Sequence, residues 1–145
     1  MITMKSRQLS IVPEPRIPGK LLTNEKHAVV VTSGGSFSSM QKVFARILGM
    51  HYSPDSKFMQ YEEFLARSGS IKTDLLFLRS TKLFPQMLNR LKTAIDTFKE
   101  NNPDSQVVVT LIDDHLAPEF KKMKVDKIEA GWTDEYELLR KLALS

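Results

Sequence analysis

The stretch His27–Thr32, with the sequence HAVVVT, decides the fold, because its unbroken β-branched centre is typical of a strand buried on both faces. Two comparable stretches follow, DLLFL at 74–78 and VVVTLI at 107–112. The segments 37–49 and 84–100 lie between them and carry apolar residues at the three- and four-residue spacing of an amphipathic helix. This alternation of buried strands and amphipathic helices predicts an open parallel α/β sheet.

Weaker patterns complete the predicted fold. They are a strand at Lys57–Gln60, a short helix at Tyr61–Arg67, a short helix near 116–123, an edge strand at Val125–Ile128 and a last helix capped by Thr133. Gly49 is expected to end the first helix as its C-terminal cap. Five strand–helix units with right-handed crossovers predict a three-layer, doubly wound, flavodoxin-like sheet with the strand order 2-1-3-4-5.

The first 26 residues differ in character from the rest of the chain. Pro13, Pro15 and Pro18 disfavour both helix and interior strand there, so we predict an extended or disordered leader over 1–26 and one α/β domain over 27–145. The leader has five basic and two acidic side chains, whereas the body has 16 basic and 15 acidic ones. A nearly neutral body argues against a dedicated nucleic-acid surface.

Composition excludes several classes of protein. The 145 residues are 41% hydrophobic and 26% charged, as in an ordinary globular protein, and no apolar run reaches the roughly 18 residues of a membrane span. The N-terminus lacks the apolar core of a secretory signal. No cysteine is present, which excludes disulfides, thiolate zinc sites and cysteine nucleophiles. We therefore predict a cytoplasmic protein.

Function in an open parallel sheet is expected at the carboxyl ends of the strands. One such end continues into a loop of Thr32, Ser33, Gly34, Gly35 and Ser36. Its two glycines would let the backbone approach an anion in front of free helix N–H groups. The loop loosely resembles the phosphate loop of flavodoxins, but it lacks the third glycine of a dinucleotide fingerprint and the lysine of a P-loop. The alternative interpretation, which the pattern favours, is a plain turn with Ser36 as N-cap.

Asp113, Asp114 and His115 follow the fourth predicted strand. Carboxylate and imidazole together can hold a metal or exchange protons, yet consecutive residues rarely converge on one ion. The alternative is that Asp114 caps a helix and forms an ion pair with Arg79 across the strand ends. We predict neither a metal site nor a catalytic residue here. His27 and His51 are isolated and are interpreted as structural.

The element order and the string Asp74–Arg79 resemble a response-regulator receiver domain, in which the third strand leads to the phosphoacceptor aspartate. Arg79 stands at that place, and Thr32 and Ser33 stand where receivers carry the acidic pair that holds magnesium. Thr110 lies near the place of the receiver's conserved hydroxyl, a residue or two early, and Ala130-Gly131 replaces the usual Lys-Pro. The resemblance therefore implies a degenerate receiver, or pseudo-receiver.

A pseudo-receiver is expected to be a non-enzymatic signalling module without a cofactor and without aspartyl phosphorylation, since Arg79 can neither accept a phosphoryl group nor bind a metal. Receivers commonly dimerise or dock through their fourth helix, fifth strand and fifth helix. Here that face would carry Lys121, Lys124, Trp132, Tyr136 and Arg140, and it would bind a protein partner or a second copy of the chain.

Two rival hypotheses remain open. A flavodoxin-like domain would bind a phosphorylated small ligand at the loop 32–36. A nucleic-acid accessory protein would use the basic leader.

Overall fold

The computed structural model describes residues 26–32, 38–80, 85–111, 114–131 and 134–144. The strands are β1 (Ala28–Thr32), β2 (Lys57–Gln60), β3 (Leu75–Ser80), β4 (Gln106–Leu111) and β5 (Lys127–Ala130). The helices are α1 (Ser38–His51), α2 (Tyr61–Arg67), α3 (Pro85–Asn101), α4 (Ala117–Phe120) and α5 (Glu135–Leu142). A 3₁₀ turn at Asp114–Leu116 precedes α4.

All five strands are parallel and lie in the order β2-β1-β3-β4-β5. Sequential strands that wind first to one side of β1 and then to the other are the mark of a doubly wound sheet. The predicted receiver-like, flavodoxin-like architecture is therefore confirmed.

Two apolar layers cover the sheet, because alternate strand residues point to opposite faces. Val29 and Val31 pack in the layer formed with α2, α3 and α4, whereas Ala28 and Val30 pack in the layer formed with α1 and α5. Both faces of the central strands are thus buried, which explains why their sequences are apolar without alternation.

Several element boundaries differ from the sequence prediction. Gly49 lies inside α1, which continues to His51, and a side chain added at Gly49 would meet nothing within 4 Å. The fifth strand begins at Lys127 rather than at Val125, and Val125 packs beside the core from the preceding loop. The cap of α5 is Asp134, whose carboxylate accepts a hydrogen bond from the Glu137 N–H, and not Thr133.

The predicted leader lies outside the described residues except for Lys26. The Lys26 ammonium donates to the Leu142 carbonyl at 2.8 Å, and the Lys26 carbonyl accepts from the Ser53 N–H at 2.7 Å. Lys26 is therefore attached to the α/β domain. Within the described ranges, no helix combines the length and apolar character that crossing a membrane requires.

Asn102 joins the end of α3 to the segment before β3. Its buried side-chain amide donates to the carbonyls of Ile71 and Phe98 at 2.8 and 2.9 Å. Its carbonyl oxygen accepts from the Thr73 N–H at 3.3 Å. One side chain thus hydrogen-bonds to three backbone groups of buried residues where α3 ends and β3 approaches.

We expect Asn102→Ala to lower the free energy of unfolding by on the order of 3 kcal/mol, because three buried backbone groups lose their partner. Urea denaturation of both proteins measures the difference. Asn101→Ala is the matched control, since the Asn101 side chain is exposed and contacts only the Thr97 carbonyl of its own helix. Equal stability of the two variants would contradict the assignment.

Candidate functional site at the strand ends

The carboxyl ends of three central strands bring polar side chains to one level of the sheet. Thr32 on β1 is the register partner of Arg79 on β3, and Arg79 is in turn the partner of Thr110 on β4. All three residues are buried. Thr110 therefore lies level with Arg79 in the sheet.

Arg79 forms a two-pronged ion pair with Glu135, the first residue of α5. Its Nε and Nη2 donate to the two carboxylate oxygens at 2.9 and 2.8 Å. Its Nη1 donates to the Thr32 hydroxyl at 3.1 Å. The arginine side chain is 5% exposed and the glutamate side chain is 23% exposed. Fork-to-fork geometry of this kind is the strongest arrangement for such a pair.

Three further side chains contact this ion pair or its backbone. The Thr110 hydroxyl donates to Glu135 Oε2 at 2.5 Å, so one carboxylate oxygen accepts from both strands. The Phe44 ring lies with its centroid 5.0 Å from the guanidinium carbon, within reach of a cation–π contact. The Tyr61 hydroxyl donates to the Arg79 backbone carbonyl at 3.0 Å. Burial raises the pKa of Tyr61, so this phenol remains a neutral donor.

This cluster of Thr32, Arg79, Thr110 and Glu135 is a closed charge-neutral unit. Phosphoryl transfer to a receiver needs a free carboxylate on the third strand and further carboxylate oxygens for a divalent cation. The only carboxylate in the cluster, Glu135, is bonded on both oxygens to a guanidinium. Among the described residues, no group of three or more acidic or histidine side chains is placed to hold a metal ion.

The other predicted site residues are placed as follows. Thr32 belongs to the strand-end cluster, whereas Ser33, Gly34, Gly35 and Ser36 lie outside the described residues, so the anion-binding hypothesis for that loop stays a prediction. Asp113 also lies outside them. His115 is exposed on the 3₁₀ turn. The carboxylate that the structure gives Arg79 is that of Glu135. The Asp113 residue and the Asp114 side chain lie outside the described part of the chain, so their predicted ion pair with Arg79 stays a prediction.

Of the five residues predicted to form the partner face, the structure describes four, and three of these are exposed. Lys121 and Lys124 are exposed just after α4, beside the edge strand β5. Arg140 is exposed on α5 and pairs with Glu137 at 2.5 Å. Tyr136 is half-buried, with its ring centroid 4.7 Å from that of Phe44. Its ring thus packs against α1. Trp132 lies outside the described residues.

Sequence reasoning missed Glu135 as a site residue. A signal was nevertheless present. The helix that follows the last strand begins at the same edge of the sheet as the strand ends. A buried arginine at that edge requires a carboxylate, and the first turn of this helix supplies one.

Known structures share the fold. The chain is similar to a pilus assembly-related protein of Burkholderia pseudomallei, with a TM-score of 0.52 and 12% identity over 91% of this chain and 95% of that chain. It is also similar to the pilus assembly protein CpaE of Caulobacter crescentus, with a TM-score of 0.54 and 11% identity over 86% of this chain and 95% of that chain.

A CheY-like protein, TadZ, of Pseudomonas aeruginosa matches with a TM-score of 0.49 and 14% identity over 80% of this chain and 97% of that chain. No protein-family model and no curated protein sequence matches this chain. At these identities the likeness establishes the receiver-like fold and nothing finer.

We expect Glu135→Gln to lower the free energy of unfolding by on the order of 3 kcal/mol, because it leaves the Arg79 cation buried without a counter-charge. Arg79→Met should cost less, since Glu135 keeps access to water. The double variant should be more stable than the sum of the two single losses predicts. Denaturant unfolding of all three proteins measures this coupling.

Glu137→Gln is the matched control, an identical change in the first turn of α5 that affects only the exposed pair with Arg140. It should change stability little. If Glu135→Gln and Glu137→Gln had the same effect, the buried ion pair would not stabilise the fold.

Proposed function

We propose that this chain is a non-catalytic pseudo-receiver, a protein–protein interaction or regulatory module in signalling that works without aspartyl phosphorylation. One observation carries the proposal. The place that corresponds to the phosphoacceptor of a receiver holds Arg79, whose guanidinium is bound by both oxygens of Glu135.

The electrostatics of the ion pair support this proposal. A phosphoryl group transferred to this edge would need a carboxylate nucleophile and a metal to neutralise developing charge. A metal cation drawn to Glu135 would have to displace Arg79, which would then be left unpaired in a largely water-free site. The cost of an uncompensated buried charge opposes that exchange. We therefore propose that the domain does not switch by phosphorylation.

The same proposal includes a protein partner that binds the face formed by α4, β5 and α5. Lys121 and Lys124 are exposed there, and neither forms an ion pair within the described part of the chain. Two exposed lysines, three residues apart and without an ion-pair partner in the described part of the chain, favour a protein partner with an acidic surface. A second copy of the chain is the alternative partner, and a cytoplasmic location belongs to this proposal as well.

The flavodoxin-like alternative receives less support. It needs Thr32 as part of an anion loop, and the Thr32 hydroxyl already accepts a hydrogen bond from Arg79. A phosphorylated ligand at 32–36 would therefore be bound by the remaining residues of that loop.

The absence of phosphorylation is directly testable. We expect the full chain, incubated with acetyl phosphate and magnesium, to keep its unmodified intact mass because no carboxylate nucleophile stands at residue 79. A receiver with an intact acidic site, treated in parallel, should gain one phosphoryl group. An aspartyl phosphate on this chain would contradict the proposal.

The partner face is testable by site-specific photocrosslinking in cell extract. A photoreactive residue at Lys121 should give a discrete crosslinked product, and the change Lys124→Glu should abolish it by reversing a neighbouring charge. The same group at Lys42, an exposed lysine on α1, is the control. A product of twice the chain mass would identify a homodimer, whereas crosslinking of equal yield at both positions would contradict a specific face.

A further inference from the structure

The amino ends of the strands, opposite the ion pair, carry a cleft of about 290 Å³. It lies between the loop that leads into β2 and the loop that follows α2. Its lining includes the start of β1 and the side chains of Asp55, Lys57, Arg67 and Lys72. Neither the receiver resemblance nor the proposed function uses this end of the sheet.

The cleft has an excess of positive charge. Three cationic side chains, those of Lys57, Arg67 and Lys72, line it against the single carboxylate of Asp55. These three cations differ in how far a neighbouring carboxylate neutralises them. Lys57 is exposed and forms no ion pair within the described residues, and the Lys72 ammonium donates to a neutral group, the Asn101 carbonyl, at 2.7 Å.

Arg67 is paired, but weakly. Its Nη1 lies 2.8 Å from Glu63 Oε2, and the two side chains are 54% and 44% exposed. An exposed ion pair four residues apart on a helix contributes little to stability, so this guanidinium can exchange partners at small cost.

The single acidic side chain of the lining is already engaged. Asp55 Oδ1 accepts from the Ser53 hydroxyl at 2.7 Å and is 2.6 Å from His27 Nδ1. Hydrogen bonds from Ser53 and His27 lower the pKa of Asp55, so its carboxylate stays ionised and bound to its own loop. Asp55 therefore contacts its own loop and forms no ion pair with a lysine or arginine of the lining within the described residues, and the three cations outnumber its one negative charge.

We propose that this cleft binds a small phosphate ester. A forked guanidinium and two ammonium groups on separate segments suit a tetrahedral dianion, which can accept hydrogen bonds in several directions at once. A volume of about 290 Å³ is near the lower limit of ligand pockets, which selects a small molecule rather than a dinucleotide.

The test is an NMR titration of the full chain with inorganic phosphate and with glycerol 3-phosphate at constant ionic strength. We expect saturable shifts of the backbone amides at 27–29, 55–57 and 70–73. Succinate, a flexible dicarboxylate whose anionic groups are planar rather than tetrahedral, should bind more weakly. Shifts that do not saturate, or that spread over the whole surface, would overturn the proposal, and so would tighter binding of succinate than of either phosphate compound.

Variants that remove one positive charge distinguish binding in this cleft from general electrostatic attraction of the anion to the protein. Lys57→Gln and Lys72→Gln should each raise the apparent dissociation constant for glycerol 3-phosphate about threefold, the range of one exposed charge interaction. Lys121→Gln removes the same charge beside the opposite edge strand and should leave the constant unchanged. Equal effects of all three variants would overturn the proposal. Spectra without ligand show that each variant is folded, and the outcome is independent of the phosphorylation and crosslinking experiments.

Discussion

The buried guanidinium of Arg79 is the constraint on which this end of the molecule depends. A cation that is 5% exposed at the centre of a sheet loses most of its hydration, and only a close carboxylate with matching geometry can offset that loss. Glu135 does so from the first turn of α5. The last helix must therefore begin directly over the strand ends, and the Tyr136 ring that follows is held against Phe44 of α1.

The same interaction joins elements that are distant in the chain. Glu135 accepts from Arg79 on β3 and from Thr110 on β4, and Arg79 also donates to Thr32 on β1. Three strands and one helix thus meet in one hydrogen-bonded network. Such networks are costly when one member is lost and rigid when all are satisfied.

The sequence predicted the central strands well because a parallel sheet covered on both sides requires continuous apolar runs, and His27–Thr32 is such a run. The edge strand was predicted two residues early, since β5 is half-exposed and its apolar content, mainly Ile128, is too small to define its ends. Asp134 replaced Thr133 as the helix cap because both are good caps and only the local backbone selects between them. The Arg79–Glu135 pair spans 56 residues, and no local pattern encodes such a contact.

The two ends of the sheet differ in charge, and the difference is opposite to the usual one in this type of fold. In most doubly wound domains the carboxyl ends of the strands attract the ligand, helped by the amino ends of the helices that begin there. Here the described part of that end carries a buried ion pair whose two charges neutralise each other. Net positive charge remains instead at the amino ends of β1 and β2, where Lys57 and Lys72 line a cleft without a carboxylate partner. An exposed charge without a partner is available to a ligand, whereas a buried, paired charge is not. A ligand site at the amino ends of the strands is therefore compatible with a closed ion pair at their carboxyl ends.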